Sequence, residues 1–285
     1  MAIANLMVAV YICKLLPDAL IKTLLARLFA LLYRVELKGW DNWELVRERA
    51  VIVVNHVSFL DAALLATYMP GKPTFAIHTH MAGKWWVRPF LSLIDAFPLD
   101  PTSPFAIKSL AKRVREGHRC VIFPEGRITV TGALMKIYEG PGLIADRADA
   151  VLVPIRIDGA QFTVFSRLKG KVRLRWFPKI TLTMLPPRRF EVDSQIKGRH
   201  RRQLLGQQLY DLLSGMIFAT STWDQTLDHA LLEARNLYGG DFHALEDVQR
   251  QPMTYDRLIT VSRVLASRFR EYGKPGTVVG LLMPN

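Results

Sequence analysis

Residues 55–61 read NHVSFLD and bring a histidine, a serine and an aspartate into one short stretch. His56 suits the role of general base, because imidazole titrates near neutrality, with an unperturbed pKa of about 6.5. Asp61 lies five residues on. A strand-end turn followed by one turn of helix would bring its carboxylate to the ring. It would then hold one nitrogen as N–H and leave the other free to take a proton. Proton transfer positioned in this way contributes roughly 10²–10⁴ in rate. The same residues also carry a structural reading. Ser58-x-x-Asp61 ahead of an apolar helix is a capping-box pattern, with the serine oxygen on a backbone N–H and the carboxylate reaching back. A second candidate is FPEGR at 123–127. Gly126 permits close backbone approach, and Arg127 offers a planar fork suited to phosphate. Glu125 can accept from a hydroxyl or orient the arginine. The plain alternative is a strand-end turn with a surface salt bridge.

Both stretches leave short, wholly apolar runs, VIVV at 51–54 and CVIF at 120–123. A third run, apolar but for Arg156, is VLVPIRI at 151–157, and a shorter, mostly apolar one covers 74–77. Helical patterns fall between them, over 59–68, 84–94, 105–116 and 138–147, with a further short strand at 97–99. Apolar strands alternating with helices predict an α/β fold with a largely parallel central sheet flanked by helices. That geometry puts both stretches at the carboxyl ends of strands, where open parallel sheets bind their ligands. Past residue 170 the texture changes. KVRLRWF at 171–177 alternates, with Lys171, Arg173 and Arg175 on one face and Val172, Leu174 and Trp176 on the other. It reads as a half-exposed strand, as does TLTML at 181–185. Residues 199–218 read as a helix that begins basic and ends apolar.

The chain of 285 residues is half hydrophobic, carries a net charge of +13 and has a pI near 10. That excess favours an anionic partner: nucleic acid, an anionic lipid surface or an acidic protein. Cys13 and Cys120 make no disulfide framework. His78 and His80 lack a third ligand nearby, so no metal is expected. The run over 2–13 is too short to span a bilayer and has no signal-peptide pattern; a cut transmembrane helix is one reading of it. From Asp18, placed as a cap, leucines recur at helical spacing with Lys22, Arg27 and Arg34 largely elsewhere. This is an N-terminal amphipathic helical segment of the membrane-binding kind, over residues 1–34. The body of the protein is expected over 35–220 and a separate piece over 221–285. There a helix follows Pro252, and a buried strand starts near Thr277 with nothing after it to pair with, as in a truncated domain.

Taken together, NHVSFLD, FPEGR and VPIRI at 153–157 resemble the boxes of the glycerolipid acyltransferases, the 1-acylglycerol-3-phosphate acyltransferase group. They stand in the family's order and at family-like spacing over roughly residues 35–190. One box departs: DAFPLDP at 95–101 has Asp95 and Pro101 where the family often has a glycine and an arginine. The resemblance implies an O-acyltransferase with His56 as base and Asp61 as its partner, and with substrate contacts from Asn55, Phe123, Pro124, Glu125, Gly126 and Arg127. It implies a fatty acyl thioester donor, on acyl carrier protein or coenzyme A, as co-substrate with no further cofactor. The acceptor is a lysophospholipid, and the departing box favours a 2-acylglycerophosphoethanolamine-like headgroup over 1-acylglycerol-3-phosphate. Residues after 252 look like the first helix and strand of AMP-forming acyl-activating enzymes. An acyltransferase followed by an adenylation domain is the layout of bifunctional 2-acylglycerophosphoethanolamine acyltransferase/acyl-carrier-protein synthetases. A place on the cytoplasmic face of the inner membrane follows, with Lys22, Arg27, Lys171, Arg173 and Arg175 as lipid or carrier-protein contacts. A nucleic-acid binder explains the charge and the aromatics beside it, but neither box, so no nucleic acid is expected.

Overall fold

The computed structural model describes residues 18–46, 49–78, 94–99, 104–222, 224–246, 251–270, 272, 273, 276–278 and 280. Contacts divide the chain into two units, meeting between Ser221 and Thr222. The first unit is built on a seven-stranded sheet in the order β1-β7-β6-β2-β5-β3-β4. Its strands are β1 (Glu36–Lys38), β2 (Ala50–Val54), β3 (Thr74–His78), β4 (Asp95–Leu99), β5 (Cys120–Ile122), β6 (Val151–Asp158) and β7 (Thr181–Met184). The five strands from β6 to β4 are mutually parallel. β7 pairs antiparallel with β6 and parallel with β1.

The central strands are apolar on both sides because both faces are covered. In β2 every residue is fully buried. Ile52 and Val54 face a layer formed by α1 (Asp18–Tyr33) and α2 (Asp61–Tyr68), against Phe29, Tyr33, Leu64 and Leu65. Val51 and Val53 face the opposite layer of α3 (Pro104–Arg115), α4 (Gly140–Ala148) and α5 (Gly198–Ala219), against Leu110, Ile144, Leu209 and Leu213. A fully buried Val or Ile of this kind contributes about 1.5–3 kcal/mol over an exposed one. β2 and β5 are direct neighbours, with Val53 opposite Ile122. The chains leaving their carboxyl ends therefore start side by side.

Two expectations are corrected here. KVRLRWF is not a strand. It makes only isolated bridges, Lys169 with Val172 and Thr163 with Arg175. Lys171, Arg173 and Arg175 are exposed while Val172 and Leu174 are half-buried, but among the described residues they pair into no ladder, so the alternation records burial alone. Trp176, expected on the inward face, is 70 % exposed. Lys22 does not point to open solvent. Its ammonium donates to the carbonyls of Met69 (2.9 Å) and Gly71 (2.5 Å), past the end of α2, where a helix presents unpaired carbonyls. Asp95 stands at the amino end of β4, accepting from Thr74 and Arg113 at 2.6 Å each, at the opposite end of the sheet from His56. The expected helix over 84–94 lies almost wholly outside the described residues, as do residues 1–17, Pro101, His80 and the side chains of Asp18 and His78.

The second unit holds helix α6 (Leu227–Tyr238), an antiparallel pair β8 (His243–Glu246) and β9 (Pro252–Thr254), and helix α7 (Tyr255–Phe269). Thr254 caps α7, accepting from the Arg257 N–H at 3.3 Å. Thr277 and Val278 are not in a strand, and most of the residues after them lie outside the described set. Among the described residues no helix is long and apolar enough to cross a membrane.

Candidate active site

β2 ends at Val54, and the next residue ties the turn down. The Asn55 side chain donates to the Ile157 carbonyl (2.9 Å) and accepts from the Ile157 N–H (2.8 Å), pairing with β6 as a strand residue would. Asn55 is buried and spent on this clamp, so its expected substrate contact gives way to a structural one. The chain then turns through His56 and enters α2 at Asp61.

Asp61 is fully buried, and one of its oxygens does three jobs. Oδ2 accepts from the backbone N–H groups of Val57 (2.7 Å) and Ser58 (2.9 Å), and meets His56 Nδ1 at 2.8 Å. Ser58 Oγ accepts from the Leu60 N–H at 3.2 Å. The capping pattern and the histidine–aspartate pair are thus the same structure. The carboxylate that closes the first turn of α2 also faces the imidazole, in a position favoured by the helix dipole. With an ionised carboxylate on Nδ1, the neutral ring carries its proton there, and Nε2 keeps a lone pair. No described residue bonds Nε2, and the His56 side chain is 19 % exposed. Phe123 stacks on the imidazole, with ring centroids 4.1 Å apart and planes inclined by 20°, and fixes the ring plane.

The second box holds the first in place. Glu125 is buried, and its Oε1 accepts from the His56 N–H at 2.9 Å, while Oε2 accepts from the Met135 N–H at 2.9 Å. Burial pushes its carboxyl above the ordinary range, opposed by those two N–H groups. The His56 carbonyl in turn accepts from the Thr129 N–H at 2.8 Å. His56 is therefore held at both ends of its backbone by the loop after β5. Glu125 does not orient Arg127, and the surface salt bridge drawn from sequence is absent among the described residues. Arg127 is exposed with no described residue paired to it. Gly126 has φ +66°, and a Cβ there would meet the Tyr138 ring at 3.2 Å, so this turn needs glycine. Pro124 is buried and its carbonyl accepts from the Tyr138 N–H.

A third segment borders the turn that sequence alone does not point to. The Phe59 N–H donates to the Phe165 carbonyl at 3.2 Å, and Ser58 and Thr163 hydroxyls meet at 3.2 Å. Thr163 donates its own proton to the Ala160 carbonyl, which leaves Ser58 as the donor to Thr163. Ser58 is thus buried with its proton and a lone pair engaged, unsuited to act as a nucleophile. Arg167 lies over the Phe59 ring at 5.5 Å, and Lys171 donates to the Val130 carbonyl at 2.6 Å. Thr129 and Thr163 carry no local motif; only the paired strands and the returning loop bring them here. Among the described residues no group of three His, Cys, Asp or Glu side chains is placed to hold a metal ion.

Residues 34–158, which contain β1–β6, the His56–Asp61 pair and the Glu125 loop, match the acyltransferase family. The match covers somewhat less than half of the chain, and the segment is similar to the 1-acylglycerol-3-phosphate acyltransferases. A 1-acyl-sn-glycerol-3-phosphate acyltransferase of Bacillus subtilis is 30% identical over 127 residues, which are 44% of this chain and 63% of that protein. The chain thus spans somewhat less than two thirds of that relative's length. The crystal structure of the 1-acyl-sn-glycerophosphate acyltransferase PlsC from Thermotoga maritima aligns with 68% of this chain and 78% of its own, at 18% identity and a TM-score of 0.48.

Proposed function

We propose that the protein is an O-acyltransferase that moves a fatty acyl group from a thioester to the free glycerol hydroxyl of a lysophospholipid. The observation that carries this reading is the His56–Asp61 pair, 2.8 Å apart, with Nε2 bonded to no described residue, at the carboxyl end of parallel strands. His56 Nε2 takes the hydroxyl proton as the oxygen attacks the thioester carbonyl. The imidazolium forms against the Asp61 carboxylate. Collapse of the tetrahedral adduct breaks the C–S bond, and the thiolate leaves with the proton from Nε2. The products are an ester and a free thiol, on acyl carrier protein or coenzyme A, and no acyl-enzyme is needed. Arg127, exposed in the loop whose Glu125 and Thr129 hold the His56 backbone, is suited to the acceptor's phosphate.

Two acceptors fit. Pro101, standing where the family often has an arginine, leaves the acceptor phosphate to Arg127 and leaves room for a bulkier, ethanolamine-bearing headgroup. The Bacillus subtilis relative, named for 1-acyl-sn-glycerol-3-phosphate, favours the phosphomonoester. The lipid acceptor calls for a membrane surface, here the cytoplasmic face. α1 supports this by exposing Leu20, Leu24, Leu28 and Leu31 along one side beside Arg27. The second unit we read as the opening of an adenylation domain. Transfer of labelled acyl groups from both thioesters to a panel of lysolipids tests the reading. The wild type is expected to acylate at least one lysophospholipid. His56→Ala is expected to bind vesicles normally and lose transfer by at least about 10²-fold. Wild-type turnover in that variant refutes the assignment.

A further inference from the structure

We infer that residues 173–179 form a second lipid-facing element, in which Trp176 and Phe177 enter the interface of an anionic bilayer and the flanking cations meet its headgroups. This rests on the acceptor being a membrane lipid. Trp176 and Phe177 are adjacent and 70 % and 54 % exposed, between half-buried Leu174 and buried Pro178 and Ile180. Their loop is fixed at its base. The Ile180 N–H donates to the Tyr33 carbonyl (3.0 Å), the Glu36 N–H donates to the Ile180 carbonyl (2.9 Å), and Lys179 pairs with Glu36 at 2.8 Å. Gly159 lies so close to the Lys179 carbonyl that no side chain would fit between them. The Phe177 ring meets Tyr33 edge-on at 6.0 Å, so the loop is joined to the end of the leucine-striped helix α1.

An exposed Trp–Phe pair on a tethered loop is an apolar surface that water covers poorly, and such surfaces mark contacts. The surrounding charge says with what. Residues 163–179 carry Arg167, Lys169, Lys171, Arg173, Arg175 and Lys179 and no Asp or Glu. Indole above a cationic rim is the chemistry of a membrane–water interface, where the ring is half-immersed and Lys and Arg meet anionic headgroups. An acidic protein would match the charge, but the continuity with a helix exposing four leucines points to lipid.

The test uses the full chain with vesicles of phosphatidylcholine, with and without phosphatidylglycerol. Trp176→Ser/Phe177→Ser is expected to weaken vesicle binding by about tenfold or more. Turnover of a vesicle-embedded acceptor falls in step, while turnover of a short-chain, monomeric lysophospholipid is unchanged. Arg173→Gln is expected to weaken binding about fivefold, on phosphatidylglycerol vesicles only and at low salt. Brominated acyl chains are expected to quench the wild type more than Trp176→Phe, a variant that keeps an aromatic side chain and loses the indole fluorophore. Unchanged vesicle binding in the double variant overturns the inference. So does equal quenching in the two proteins, or a loss confined to binding of an acidic carrier protein. Absence of acyl transfer to every acceptor would sink the functional reading and leave the vesicle measurements to decide this one.

Discussion

Replacing Asp61 by asparagine separates the two services its carboxylate performs. Oδ2 faces two backbone donors, Val57 N–H and Ser58 N–H, as well as the imidazole, while Oδ1 is buried without a described partner. An asparagine amide has two orientations. With its NH₂ at the Oδ2 position it would face both N–H groups and forfeit both hydrogen bonds, at about 1–3 kcal/mol each. With its oxygen there it keeps both, and the NH₂ takes the position where Oδ1 already lacked a partner. The backbone therefore selects the orientation that still accepts from Nδ1–H. In the Ser-His-Asp triad the same substitution gives the wrong tautomer and costs about 10⁴. Here the tautomer survives and only the charge is lost. A hydrogen bond to a charged group is worth about 1.5–3 kcal/mol, which corresponds to a fall in kcat of about 10- to 150-fold. Two measurements check this: kcat at saturating acceptor, and the ¹⁵N shifts of His56, expected to report Nδ1–H in wild type and variant alike. A loss equal to that of His56→Ala, or an Nε2–H tautomer in Asp61→Asn, refutes the argument.

Glu125→Gln retains one acceptor where two donors need one each, so either the His56 or the Met135 N–H is left facing an amide NH₂. A stability loss of about 1–3 kcal/mol at low pH is expected in urea unfolding. Because burial raises the Glu125 carboxyl, the protonated form favours the folded state below the ordinary value near 4.5, and that advantage fades as pH rises through the raised value. The gap between wild type and the glutamine variant should therefore narrow with rising pH; a widening gap contradicts the sign. Cys120 is fully buried, and burial pushes its thiol up to about 12. Peptide mapping after alkylation at pH 8 should find it unmodified in the native protein and modified in urea; rapid native modification would show that β5 opens.

The strands of the first unit were legible because parallel strands buried on both faces must be apolar throughout, and VIVV, CVIF and VLVPIRI declare themselves. His56 and Asp61 were legible because a five-residue offset across a turn is local. Glu125 was visible as a residue but not as a clamp, since its partner lies 69 positions away and only the β2–β5 pairing brings them together. Asn55 likewise looked like a ligand because its partner, Ile157, belongs to a strand 102 positions on. Lys22 on the polar side of an amphipathic helix looked like a solvent cation, and the end of α2 that it caps cannot be inferred from its own helix. The alternation in KVRLRWF reports which side chains are covered, a quantity that a loop laid across a surface satisfies as well as a strand.

The double hold on the His56 backbone, by Glu125 from one side and Thr129 from the other, has a consequence for assembly. Neither grip exists until two segments far apart in the chain have aligned. On the chemistry proposed above, a partly organised or mis-registered protein would lack a positioned base, and stray reactivity toward thioesters would be withheld until the central strands have docked. Turnover thus doubles as a gauge of whether the middle of the sheet is properly made.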